Sequence, residues 1–134
     1  MSAAGHDECG AVALAGVLVL FALGLLIGVG VDGARTFILR NRLTAIADDA
    51  ALAGASQLDV DAWRRGELAL DPVLAQAAAE RILAADGEPS GTVISDDTGV
   101  TVQVSEQMPT VVLRLVGIGE ITVRALAHAT PKTP

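Results

Sequence analysis

The 134-residue chain has one cysteine, one tryptophan, two phenylalanines, no tyrosine and two histidines. A lone cysteine forms no intramolecular disulfide, and with so few histidines it cannot complete a structural zinc site. At 2% aromatics there is no surface on which nucleic-acid bases would stack. Positive charge is also scarce. Nine Lys and Arg face sixteen Asp and Glu, a net charge of −7, so the basic patch needed to bind phosphate backbones is missing. Nucleic acid is therefore not an expected partner. About 100 residues remain once an anchor is set aside, which is one small domain's worth of core.

Aliphatic carbon is what the chain has in excess. Hydrophobic residues make up 51% of it and the mean hydropathy is +0.52. The excess is concentrated in residues 11–31, which carry no charged side chain. At a rise of about 1.5 Å per residue, a helix of that length spans about 31 Å, the thickness of a hydrocarbon core. Gly16, Gly24, Gly28 and Gly30 would weaken a soluble helix, but in lipid they permit close helix approach. Gly24 and Gly28 form a GxxxG pair and are a candidate helix-packing face. A secretory signal peptide is the competing identity, but its apolar core is shorter and follows positive charge. Here the preceding residues include Asp7 and Glu8, so a permanent anchor is expected. No Lys or Arg precedes the run, whereas Arg35, Arg40 and Arg42 follow it. Taken literally, the positive-inside rule leaves the following domain in the cytoplasm.

Helical spacing continues past the span, with Phe37 or Ile38, Leu43, Ile46, Ala50 and Ala53 on one side. One helix over residues 11–58 is expected, on the order of 70 Å long. Its small-residue stripe, residues 47–55, invites a close neighbour. Residues 59–70, with Trp63, read as a connection or a short helical turn. Asp71 and Pro72 give an N-cap and a first-turn proline. Leu74, Ala78, Ile82 and Ala85 follow as an apolar face, and Gly87 stops the helix.

The period then changes to two. Residues 92–95 and 100–104 read as strands about a turn at residues 96–99. Residues 109–116 read as a short helix closed by Gly117 and Gly119. Residues 121–127 read as a third strand with Ile121, Val123, Ala125 and Ala127 on one face. The expected fold is α+β: a long N-terminal transmembrane-plus-extramembrane helix packed on a small three-stranded antiparallel sheet with a second helix. The divisions are an N-terminal tail (1–10), a span (11–31), its extramembrane continuation (32–58), a small α+β domain (59–130) and a tail (131–134).

Few residues invite chemistry. Cys9 precedes the span outside any lipobox and reads as an incidental thiol, with palmitate attachment or intermolecular pairing as alternatives. Asp32 ends the apolar run and can reach Arg35 as an interfacial ion pair, or contact another subunit. Asp48 and Asp49 are adjacent on a helix, about 100° apart, and do not converge on one bond as paired catalytic carboxylates must. Asp96 and Asp97 suit a turn, which offers too few oxygens for calcium. His6 and His128 lack partners at ligand spacing, the serines lie in no nucleophile elbow, and no phosphate-cradling loop occurs. No catalytic, cofactor or metal residue is expected, and the chain is not expected to be an enzyme.

The N-terminal half resembles a known family. Gly10 at the start of the span, Asp32 at its end, and Leu43, Asp48 and Leu52 in a helix ending in alternating small residues resemble the TadE/TadG-like proteins of Flp (tight-adherence) pilus assembly. Asp49 stands where those proteins usually have Ala. The resemblance implies a pilin-like, single-pass protein of the bacterial inner membrane with its C-terminal domain outside the cytoplasm. It also implies partners among other Tad/Flp assembly proteins, a helix-mediated oligomer, and the lipid bilayer itself. Gly24, Gly28, Asp32, Asp48, Leu52 and Gly54 are then the candidate partner-packing residues. Pilin-like members cleaved after a glycine carry Glu five residues on; counted from Gly10 that place is Ala15, so an uncleaved accessory component is expected. The alternative reading is a membrane-anchored adaptor, unrelated to pili, with a cytoplasmic α+β domain.

Overall fold

The computed structural model describes residues 5–87 and 90–131, with only the backbone of residues 5–9. Three helices, α1 (Gly5–Ala55), α2 (Val60–Arg64) and α3 (Pro72–Ala85), precede strands β1 (Thr92–Ser95), β2 (Val100–Pro109) and β3 (Glu120–Ala129). A 3-10 turn, Leu113–Val116, lies between β2 and β3. The α+β class and the three-stranded antiparallel sheet, in order β1-β2-β3, agree with the sequence reading.

The chain divides into two compact units. The first contains the apolar part of α1 through Arg35 together with Pro109–Glu120; the second contains Thr36–Met108 and the chain from Ile121 onward. Sequence patterning places residues 109–120 with the rest of the 59–130 domain. The structure groups them instead with the apolar helix.

In the second unit, Leu39, Leu43, Ile46, Ala47, Ala50 and Ala51 of α1 share a core with Val100, Val102 and Val104 of β2 and Val123, Ala125 and Ala127 of β3. Leu43, Val100, Val102 and Val104 are wholly removed from water. At about 25 cal/mol per Å² of apolar surface, such burial is the main term holding the unit together. Alanine on the helix lets the sheet approach closely. Gly54 is a close point of this packing: a Cβ there would lie 3.0 Å from the Ala75 carbonyl oxygen and 3.0 Å from Val100 Cγ2.

Two faces differ from expectation. Leu39, not Phe37 or Ile38, turns into the core; the latter two are exposed. On α3 the buried residues are Ala75, Ala79 and Leu83, while Leu74 is exposed, one position away from the expected stripe. Alanine-rich helices have a weak hydrophobic period, so packing against the sheet sets their rotation. The ends of the elements follow local chemistry more closely. The Asp71 carboxylate accepts from Val73 N–H (3.0 Å) and Leu74 N–H (3.1 Å), a helix N-cap. The hairpin pairs Thr92 with Gln103 through Ser95 with Val100.

Candidate functional site at the end of the apolar helix

The outward side chains of residues 11–31 are exposed aliphatics, among them Val12 at 73% and Leu20 at 70%. The most apolar window of α1 has a mean hydropathy of 2.8. Among the described residues it is the one helix long and apolar enough to cross a membrane. A Cβ added at Gly16, Gly24 or Gly30 would meet nothing within 4 Å, so these positions leave a smooth, open surface. Gly28 does not. A Cβ there would run into the Val112 side chain, including its Cβ at 2.9 Å, so the helix accepts residue 112 only because position 28 is glycine.

Four residues further along the same face, Asp32 is 1% exposed. Its Oδ1 accepts from Val111 N–H (3.0 Å), and its Oδ2 accepts from Val112 N–H (2.8 Å) and Leu113 N–H (3.1 Å). These groups open the Leu113–Val116 turn, whose N-cap residue, Val112, supplies no side-chain cap. Asp32 therefore caps that turn from another part of the chain, placing a carboxylate where N–H groups converge. Arg35 adds a favourable charge nearby. The turn is closed from within. Thr110 N–H donates to the Gly119 carbonyl (3.0 Å), the Thr110 hydroxyl donates to the Ile118 carbonyl, and Gly117 at φ 90° ends the 3-10 segment. The sequence offers Asp32 an ion pair with Arg35 or a contact to another subunit, and Arg35 does add its charge; the backbone partners at residues 111–113 give no local signal in sequence.

The remaining candidates fall into two groups. Gly54 is buried inside the second unit, so its small size serves the chain's own packing. Leu52 is 60% exposed and Asp48 is exposed, so both stand on the outer face of α1 beside the alanine stripe. Gly24 is likewise open. The structure thus gathers Gly28 and Asp32 at one intrachain junction and leaves Gly24, Asp48 and Leu52 free to meet another molecule. The side chains of His6 and Cys9 lie outside the described residues.

Other polar features have local roles. Asp96 Oδ1 accepts from the Thr98 hydroxyl (2.6 Å), Thr98 N–H (2.8 Å) and Gly99 N–H (2.8 Å), which closes the hairpin. These bonds, the Thr98 hydroxyl foremost, hold its carboxyl below the ordinary value of 3.8. His128 Nδ1 pairs with the Thr101 hydroxyl at 3.0 Å. Among the described residues no three His, Cys, Asp or Glu side chains are grouped to hold a metal.

No curated protein and no solved structure matches the chain. A family model does match, and it covers both the apolar run and the alanine stripe on which the resemblance rests: residues 10–57 match the family described as "Putative Flp pilus-assembly TadE/G-like".

Proposed function

We propose that this chain is a single-pass, pseudopilin-like accessory component of Flp pilus assembly in the bacterial inner membrane, working by helix packing and not by catalysis. The observation that carries the reading is the family match over residues 10–57, which joins a membrane helix to its Ala-rich continuation in one segment. On this reading α1 serves first as anchor and then as a packing spine. Gly24 offers close approach within the bilayer, and Asp48 and Leu52 offer an exposed face beyond it. The partners are other Tad pilus-assembly membrane proteins, and the C-terminal domain lies outside the cytoplasm.

Leu52→Asp tests the packing role. Leu52 is 60% exposed, so the substitution leaves the second unit's core intact while placing a charge on the outer face. Co-purification of neighbouring pilus-assembly proteins with the chain is expected to fall by about tenfold or more, the scale of a buried charge without a partner. Membrane insertion and the circular dichroism spectrum stay unchanged. Undiminished co-purification would show that this face meets no partner.

A further inference from the structure

The turn that Asp32 holds carries its own apolar surface. Val111, Leu115, Val116 and Ile118 are 58%, 74%, 69% and 47% exposed, although they belong to the compact unit formed with the apolar helix. In water such a cluster is unfavourable, at about 25 cal/mol per Å² of apolar surface. Its position indicates what covers it. Val112 packs at Gly28, which lies about 4.5 Å inside the end of the apolar run at a helical rise of about 1.5 Å per residue.

Irregular backbone is costly at membrane depth unless its polar groups are satisfied internally. In this turn they are largely satisfied. Asp32 takes the N–H groups of residues 111–113, and Leu115, Gly117 and Ile118 donate to the carbonyls of Val112, Arg114 and Leu113 at 2.9, 3.2 and 3.0 Å. A loop exposed to water would need no such closure. Arg114 is exposed within the cluster, and its long side chain can carry its charge to the headgroups.

We propose that residues 111–118 form a second membrane contact, an apolar turn seated in the lipid interface beside the span and fixed there by Asp32 and Gly28. The occupant of this surface is the bilayer. The proposal rests on the anchor reading of α1, and the experiment separates the two.

The full chain is purified and reconstituted into phosphatidylcholine–phosphatidylglycerol vesicles, with or without bromine on the upper acyl chains. Trp63 is the only tryptophan, so Trp63→Phe gives a silent background for a single reporter. Leu115→Trp in that background is expected to show blue-shifted emission and about twofold quenching by the brominated lipid, as for a side chain at the acyl boundary. Val116→Trp repeats the measurement should the first variant fail to reconstitute. Leu20→Trp reports on the span. Quenching at position 20 with water-like, unquenched emission at position 115 overturns the turn's membrane contact and leaves the anchor standing. Blue-shifted but unquenched emission at 115 assigns the surface to protein, a second copy of this chain, and also overturns the proposal. Absence of quenching at both positions overturns the anchor and the turn together.

Discussion

Asp32 divides its two carboxylate oxygens among three backbone donors that lie 79 to 81 residues away in the chain. The geometry suits the anion, which accepts on both oxygens. An amide offers one acceptor and turns its N–H₂ toward the other donors. Asp32→Ala removes every acceptor and leaves N–H groups without partners in a nearly closed space. Amide exchange at Val112 and Leu113 is expected to accelerate by about tenfold or more, while Val102 and Val104 in the sheet keep their protection. Asp32→Asn falls between the two. Unchanged exchange at residues 112 and 113 in the alanine variant would show that the turn is held by Gly28 packing and its own internal bonds. The neighbouring glycine makes the complementary point: a side chain at position 28 would displace Val112, so Gly28 and Asp32 form one junction, the first giving room and the second giving hydrogen bonds.

Among the elements, the β1–β2 hairpin has the clearest dependence on pH. The Thr98 hydroxyl, the N–H groups of Thr98 and Gly99, and to a smaller extent His128 hold the Asp96 carboxyl below 3.8. A depressed carboxyl stabilises the folded turn above its unfolded value, and the contribution is lost as pH falls through the folded value. The carboxyl's contribution to the turn is therefore expected to be intact from pH 7 down to about 4 and to be lost below that. Amide chemical shifts of Thr98 and Gly99 followed by NMR should titrate with a midpoint under 3.8 and stay flat across the range in Asp96→Asn; a midpoint at or above 3.8 would contradict the bonding described. This hairpin, the α3 cap at Asp71 and the run of β3 are legible in the sequence, because turn and cap chemistry is local. The strand pattern of β2 ends at Val104, whereas the strand continues to Pro109. Ser105, Glu106 and Gln107 carry no strand signal of their own, and pairing in the sheet supplies it. The rotation of α3 differs from its sequence pattern by one position for a related reason. In a helix built largely of alanine, Leu74 suggests a face that tertiary packing overrides, while Ile82 stays half-buried against the core. The Asp32 junction was illegible because its partners are distant, although a lone Asp at the end of an apolar run and a turn with no cap of its own are the two halves of a signal.

At the scale of the whole molecule, the charge pattern and the proposed function point in opposite directions. Arg35, Arg40 and Arg42 follow the apolar run closely, all exposed, and no Lys or Arg precedes it. By the positive-inside rule the second unit would stay in the cytoplasm. The pilus-assembly role proposed above places it on the other side. The rule is a bias summed over flanking charges, and it acts against the transfer of a small domain with a net negative charge only through those three arginines. We expect the pilus orientation to prevail. A tag placed after Pro134 should be cleaved by protease added to intact, wall-stripped cells, with a cytoplasmic marker protein remaining whole. Exchanging Arg40 and Arg42 for Gln should leave that accessibility unchanged or raise it, because it removes the charges that oppose transfer. A tag protected until lysis would place the domain with the arginines, in the cytoplasm. The alanine stripe and Leu52 would then face cytoplasmic partners, and an anchored adaptor would replace the pilus component as the reading of this chain.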